Sequence, residues 1–407
     1  MVEFPSHGLA PDDVLAEMRR RKEGDADWRS GRTWSLVYKT DDDDVVKVLE
    51  DAYLLYLYEN ALNPFAFPSL REYEREVVDW MCDLLNAPPS GGGSMSSGGT
   101  ESIFLGVQVA RDRAKEERGV TAPELVIPES AHPAFIKAAH YLELEVKKVP
   151  LRADLRADVG AMAELITDQT ALVVGSAPCY PYGVIDPIDE IAALALERGV
   201  PCHVDACLGG FVLPFWERLG EPLPAWDFRV DGVTSISADV HKYGYAVKGA
   251  STLIHRSSDA LKYQIFMVND WVGGIYGSMT TAGTRPAGPI AAAWAVIRHL
   301  GIDGYVRLTE VVRDTTRALQ DGINAIEGMH VKGDPDASTF AFGSDEYDVA
   351  AICDVMDEKG WHVDRQPDSL HLIVMPQHAK IVERFLADLA ESVATHGESK
   401  GKEARYA

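Results

Sequence analysis

The stretch Gly232-Val233-Thr234-Ser235-Ile236-Ser237-Ala238-Asp239-Val240-His241-Lys242-Tyr243-Gly244 runs from an apolar segment into a cluster of ionisable side chains. Its first part predicts a buried strand over 232–237. Its second part sets a lysine, flanked by His241 and Tyr243, just past the end of that strand. Similar short apolar runs lie at 124–128, 170–177, 201–205 and 250–255. Within them Ala171-Leu172-Val173-Val174 is continuously apolar, as strands covered on both faces of a parallel sheet are. Helical stretches such as 188–198 separate the runs. The alternation predicts an α/β fold with right-handed crossovers.

The chain has 407 residues, too many for one ordinary hydrophobic core, so two or three packed units are expected. Hydrophobic residues at 46% and charged residues at 25% describe a globular chain and exclude disordered and collagen-like ones. Lys+Arg at 39 against Asp+Glu at 63 leaves a net charge of −24. Such a field repels nucleic acid and anionic lipid, so neither is an expected partner, and any phosphate must be held by a few placed donors. No run reaches the roughly 18 uninterrupted apolar residues of a membrane helix, and Met1-Val2-Glu3-Phe4-Pro5 does not resemble a secretory signal. The five cysteines show no metal-ligand spacing, and no metal site is expected. A reduced, cytoplasmic protein is the expectation.

Three units are expected: 1–60 as a segment covering the site, 61–290 as the large domain, and 291–407 as a smaller α+β domain. The acid run Asp41-Asp42-Asp43-Asp44 reads as a helix N-terminus, where negative charge meets the helix dipole. An amphipathic helix is expected over 70–85, and others over 305–326 and 349–359. Short strands are expected near 338–342 and 370–375.

Three stretches carry chemistry. Residues 90–102, Ser90-Gly91-Gly92-Gly93-Ser94-Met95-Ser96-Ser97-Gly98-Gly99-Thr100-Glu101-Ser102, read alone as a flexible linker. The amphipathic helix expected over 103–118 changes that reading, because glycine-rich backbone at a helix N-terminus is an anion site. His203-Val204-Asp205-Ala206-Cys207 ends a strand, and Asp205 is either a turn cap or a ligand group at the carboxyl edge of the sheet. Lys242 lies at the next strand end, where burial would make its amine less basic and ready to join a carbonyl. A phosphate cradle, an acid and an amine, in that order, are the three parts that pyridoxal 5'-phosphate requires.

Ser97-Gly98-Gly99-Thr100-Glu101-Ser102-Ile103, the run from His203 to Phe211, the long match from Gly232 to Gly249, Gly273-Gly274-Ile275-Tyr276 and Gly283-Thr284-Arg285-Pro286 together resemble the sphingosine-1-phosphate lyase family. These are fold-type-I, pyridoxal-phosphate-dependent aldehyde lyases within the broader pyridoxal-dependent decarboxylases, and the likeness runs from about Trp34 into the C-terminal domain. The resemblance implies that Lys242 is the Schiff-base lysine and Asp205 the partner of the ring nitrogen. Gly99 and Thr100 would hold the cofactor phosphate, His132 would stack on the ring, and His241 would lie close by. Without the family pattern, His132 reads as a helix-start histidine. The residues that meet the substrate phosphate map onto Tyr38, Asn60, Asn63 and Lys248. Asn63 departs from the family, which has histidine there; asparagine keeps a neutral donor and loses a possible positive charge.

The reaction the resemblance implies is retro-aldol cleavage of a phosphorylated long-chain 2-amino-3-hydroxy base, with Tyr180 or Tyr182 moving a proton. A homodimer with the site at its interface is expected. The membrane-anchoring helix of eukaryotic relatives has no counterpart in this sequence. An amino-acid decarboxylase and a non-catalytic pyridoxal-phosphate-binding protein are the alternatives.

Overall fold

The computed structural model describes residues 1–402 and Ala404. Seven strands build the large sheet: β1 (Gly92–Ser96), β2 (Glu124–Pro128), β3 (Glu145–Val149), β4 (Thr170–Ser176), β5 (Cys202–Asp205), β6 (Val233–Ala238) and β7 (Ser251–His255). Their order is β1-β7-β6-β5-β4-β2-β3. From β3 to β6 neighbours pair in parallel, whereas β7 runs antiparallel to both β6 and β1. The fold is thus α/β with a mostly parallel sheet, and the run expected over 250–255 is its reversed strand.

The apolar runs are continuous because both faces are covered. On β2, Leu125 and Ile127 join the core under helices Gly99–Arg118 and Ala134–Leu142, while Val126 joins the larger core on the other face. On β4, Leu172 and Val174 divide from Val173 in the same way. Burying a Val or Leu side chain fully is worth about 1.5–3 kcal/mol, so each strand is held from two sides.

Two strands of the large sheet escaped the sequence reading. β1 lies inside the Gly/Ser-rich stretch read as a loop, and the helix after it begins at Gly99 rather than Ile103. β3, Glu145-Val146-Lys147-Lys148-Val149, is an edge strand with charged side chains, which hide it from an apolar-run search.

The other signals settle as their chemistry requires. Asp42 caps helix Asp43–Leu55, accepting from the backbone N–H of Asp44 (3.1 Å) and Val45 (3.5 Å). The amphipathic helix expected over 70–85 is Pro68–Leu84, with proline in its first turn. After the hairpin of β8 (Phe266–Val268) and β9 (Tyr276–Ser278), helix Ala287–Asn324 kinks at Gly301 (φ 56°) and leads into a second sheet. That antiparallel sheet holds β10 (His330–Val331), β11 (Thr339–Gly343), β12 (Asp364–Arg365) and β13 (Leu370–Ile373), in the order β10-β11-β13-β12.

The N-terminal segment is fastened to this C-terminal part. Trp34, wholly buried, packs its ring 4.2 Å from His378 and 4.6 Å from Phe385. Thr33 bridges to His362. Among the described residues no helix is long and apolar enough to cross a membrane.

Gly183 joins the large sheet to the small one. Its φ is +74°, and a Cβ there would lie 1.8 Å from the Thr339 carbonyl oxygen, so no side chain fits without moving β11. Gly119 also has positive φ (+67°) but meets nothing within 4 Å. Gly119→Ala should cost about 1–2 kcal/mol, the left-handed penalty alone. Gly183→Ala should cost clearly more, read as a lower thermal unfolding midpoint; equal midpoints would remove Gly183 as a domain joint.

Candidate active site

The carboxyl ends of β5 and β6 are adjacent, with Asp205 in register opposite Ser237. In an open α/β sheet that edge is where ligands bind. Here a cavity of about 320 Å³ is lined by Gly99, Thr100, His132, Tyr180, Asp205, His241 and Lys242, along with Glu101, Cys207 and Asp239. Hollows of about 600 and 690 Å³ exist elsewhere, but neither gathers these groups. Chemistry, not size, selects the smaller one.

The cradle is built by β1 and the helix it feeds. The N–H groups of Glu101 and Ser102 turn back to the Gly98 carbonyl (2.9 and 3.0 Å). Those of Gly99 and Thr100, at the helix start, make no hydrogen bond among the described residues. A Cβ on Gly99 would lie 2.8 Å from both Asp239 Oδ2 and Cys207 Sγ. Glu101 locks the loop: Oε2 accepts from Ser97 N–H and Oγ (2.7 Å each), and Oε1 accepts from Thr281 N–H (2.8 Å) and its hydroxyl. These donors hold the Glu101 carboxyl below its usual range although burial pushes the other way.

Asp205 is buried and fixed. Its Oδ1 accepts from Cys207 N–H (3.1 Å) and Ser237 Oγ (3.2 Å), while Oδ2 takes no hydrogen bond among the described residues. It is therefore both the turn cap and a carboxylate with one oxygen to spare. Lys242 Nζ lies 3.0 Å from Asp239 Oδ2. Here the structure corrects the expectation of a less basic lysine. Burial acts to lower it, but the Asp239 carboxylate, with smaller help from Tyr38, Cys207 and Asp205, holds the ammonium well above its ordinary value. His241 is pushed down to about 4 chiefly by burial, and its Nδ1 accepts from Ala250 N–H (3.2 Å). His132 is also lowered by burial, and its Nδ1 accepts from Ala134 N–H (3.1 Å), so both rings sit neutral in the wall.

Tyr180 donates to Asp364 Oδ2 (2.7 Å) and packs on His371, with ring centroids 4.3 Å apart. Tyr182 lies in the adjoining hollow with Pro181 and Gln366 rather than in this cavity. Lys248 and Tyr38 meet beside it. The Lys248 ammonium stands 4.3 Å over the Tyr38 ring and donates to the His241 carbonyl at 3.4 Å. Partial desolvation, then the Lys242 charge, pulls Lys248 down to about 8.

Asn60 and Asn63 are not brought to this cavity within one chain. They flank the hollow of about 690 Å³ walled by Leu62, Phe65, Glu74 and Arg285. Asn63 Oδ1 is engaged by Phe65 and Ala66 N–H (2.9 and 3.3 Å), and Asn60 Oδ1 by Leu62 N–H (3.1 Å).

Sequence reasoning missed Glu101, Asp239 and Asp364. An acid in the first turn of a helix was the available signal for Glu101. Asp239 stood in the quoted stretch without a role. Nothing local marked Asp364, which arrives from β12.

These residues fit pyridoxal phosphate: two unengaged N–H groups, one of them on a glycine where no side chain fits, a fixed carboxylate with a spare oxygen, and a lysine in the same cavity. Fold and site define a pyridoxal-phosphate enzyme. Comparison with known proteins agrees. The pyridoxal-dependent decarboxylase conserved domain matches residues 38–343. The sphingosine-1-phosphate lyase of Oryza sativa subsp. japonica is 42% identical over 402 residues, 97% of this chain and 74% of that protein. The solved sphingosine-1-phosphate lyase of Burkholderia pseudomallei superposes with a TM-score of 0.92 at 39% identity, covering 97% of this chain and 93% of that one. A probable L-tyrosine/L-aspartate decarboxylase of Methanothrix thermoacetophila is 37% identical over 397 residues, 96% of this chain and 98% of that protein. The chain belongs to the pyridoxal-dependent decarboxylase family and, within it, to the sphingosine-1-phosphate lyase group. It is a pyridoxal-phosphate-dependent lyase.

Gly99→Ala should drive a methyl group into Asp239 and Cys207 and open the cradle. Cofactor affinity, read from the visible absorbance on titration with pyridoxal phosphate, should fall at least about tenfold, a cost of about 1.4 kcal/mol. Unchanged affinity would place the phosphate elsewhere.

Proposed function

We propose that this enzyme cleaves a phosphorylated long-chain 2-amino-3-hydroxy base to a long-chain aldehyde and phosphoethanolamine. The observation that carries the reading is the pairing of Lys248 with Tyr38 beside His241, which sets a cation and a hydroxyl next to the amine of Lys242. Phosphate takes charge-assisted bonds from such groups. The names of the lyases at up to 42% identity support the same substrate class.

Bound here, pyridoxal phosphate supplies an aldehyde for the substrate amine and a protonated ring that draws electrons from the breaking bond. Asp205 would hold the proton on the ring nitrogen through its spare oxygen. Gly99 and Thr100 would anchor the cofactor phosphate, and His132 would cover the ring. Tyr180 takes the proton of the 3-hydroxyl while its own phenolic proton passes to Asp364 Oδ2, 2.7 Å away, as the bond between the amino-bearing and hydroxyl-bearing carbons breaks. The relay then runs back: Tyr180 gives a proton to the amino-bearing carbon and recovers its own from Asp364.

A homodimer belongs to this reading. Phe65, Phe266, Met267, Trp271, Val272 and Ile275 are all more than half exposed, and Phe65 and Met267 line one hollow. Exposed apolar surface of this kind marks a protein contact. Asn60 and Asn63, on that face, would then serve the partner's site. Five free cysteines, four of them buried, suit the reducing interior of a cell.

The decarboxylase reading has its own support in the Methanothrix relative and in Asn63, which gives up a possible positive charge. Products separate the two: carbon dioxide from an amino acid marks a decarboxylase, a fatty aldehyde from a phosphorylated base marks the lyase.

Lys248→Ala should cut kcat/KM for the phosphorylated base at least about tenfold, since one charge-assisted bond is worth about 1.5–3 kcal/mol. Bound-cofactor absorbance should hardly change. The lysine is charged below its pKa of about 8 and neutral above it. Wild-type kcat/KM for a phosphorylated base should therefore fall above about pH 8, a limb that Lys248→Ala and unphosphorylated substrates should lack. Equal use of both substrate types would remove Lys248 from the phosphate pocket.

A further inference from the structure

Asp239 is placed too deliberately to be a spectator. It follows β6, is 2% exposed, and puts Oδ2 3.0 Å from Lys242 Nζ and 3.6 Å from His241 Nε2. Its Oδ1 is buried with no hydrogen-bond partner among the described residues. The nearby Ser251 hydroxyl is spent on the Ala238 carbonyl (3.3 Å) and on Ser102 Oγ (2.8 Å). A buried carboxylate with an idle oxygen is costly unless a charge compensates it. The charge beside it is Lys242.

We propose that Asp239 is a positioning residue that receives the Lys242 ammonium whenever the lysine is off the cofactor, keeping it charged, docked and inert until its proton is surrendered. The inference rests on reading Lys242 as the cofactor lysine. A lysine freed in each turnover would otherwise lie loose among groups that pull it in different directions. From β5 and the turn after it come Asp205 and Cys207, from the N-terminal segment Tyr38, from the loop after β2 His132, and from its own loop His241 and Lys248. Of these, the neutral histidines and the Lys248 cation give the ammonium no anchor, and the spare oxygen of Asp205 is assigned on that reading to the ring nitrogen. Among the described residues, Asp239 alone stands in ion-pair contact. An ammonium has no lone pair with which to attack carbon, so the pair sets when Lys242 becomes a nucleophile. The same contact accounts for Gly99, since any Cβ there would displace Asp239 from its place.

The test uses holoenzyme whose cofactor has been blocked with aminooxyacetate, which leaves Lys242 free. Acetic anhydride modifies only neutral amines, so the acetylation rate of Lys242, followed by peptide mass spectrometry across pH, reports its proton. In the wild type the rate should still be rising at pH values above the ordinary lysine pKa of about 10.4. In Asp239→Asn the profile should move down by at least one pH unit, a tenfold faster rate at fixed pH below the midpoint. A wild-type profile that levels off below the ordinary lysine range overturns the proposal even if the variant does not fold. An identical profile in a folded Asp239→Asn also overturns it. Borohydride reduction and peptide mapping of untreated holoenzyme test the underlying reading separately. A pyridoxyl group on another lysine sinks that reading, whereas a group on Lys242 with an unmoved profile sinks only the role of Asp239.

Discussion

The parallel pairing of β5 with β6, Asp205 opposite Ser237, is the constraint on which the site depends. Both strands are buried, with Cys202, Val204, Val233, Ile236 and Ala238 in the larger core, so neither can slip without carrying those side chains out of it. The register brings the Ser237 hydroxyl to Asp205 Oδ1, which aims the carboxylate and leaves its other oxygen uncommitted. Lys242 follows the end of β6 by a short turn, so its reach from Asp205 is set by a turn anchored directly to the sheet. Side chains placed by strands hold position better than side chains placed by loops, and the chemistry asked of this pair needs such precision.

The second constraint is volume at the carboxyl edge. Gly98 and Gly99 let the backbone approach where side chains of Asp239, Cys207 and His241 already stand. A helix start with unengaged N–H groups is thereby pressed against the buried ion pair. Glu101 carries the constraint further by tying this loop to Thr281, and so to the segment after β9 that meets Ala61 through Arg285. The cofactor cradle and the N-terminal segment that carries Asn60 are in this way mechanically continuous.

Much of this was legible in the residues. β4 announced itself because a strand covered on both faces is apolar along its length; β2, β5 and β6 were legible from shorter apolar segments, β5 and β6 with His203, Asp205, Ser235 and Ser237 among their residues. Lys242, Asp205 and Gly99 announced themselves because each sits at the end of such a strand or the start of such a helix. β1 and β3 did not: glycine and serine let β1 pack tightly against β7 without an apolar signature, and β3 is charged because it is an edge. The reversed direction of β7 has no local cause, since an apolar run reads the same either way. Asp364 reaches Tyr180 only through the small sheet, across 184 positions of chain, and no spacing rule spans that distance. The basicity of Lys242 was misjudged because burial was weighed without the carboxylate three residues before it.

That last error points to how the site reconciles opposite demands. The chain carries a net charge of −24, yet its site must hold a cofactor phosphate and, on the present reading, a substrate phosphate. Dipoles and neutral donors meet the first: unengaged N–H groups at the helix start bring partial positive charge without a buried cation. The second falls to Lys248, partly exposed beside Tyr38, where solvent moderates the cost of the charge. On that reading a loose Lys242 ammonium could pair with either phosphate. The ion pair with Asp239 gives it one fixed partner instead. The arrangement separates a cation for binding from an amine for chemistry, although both belong to the same short loop.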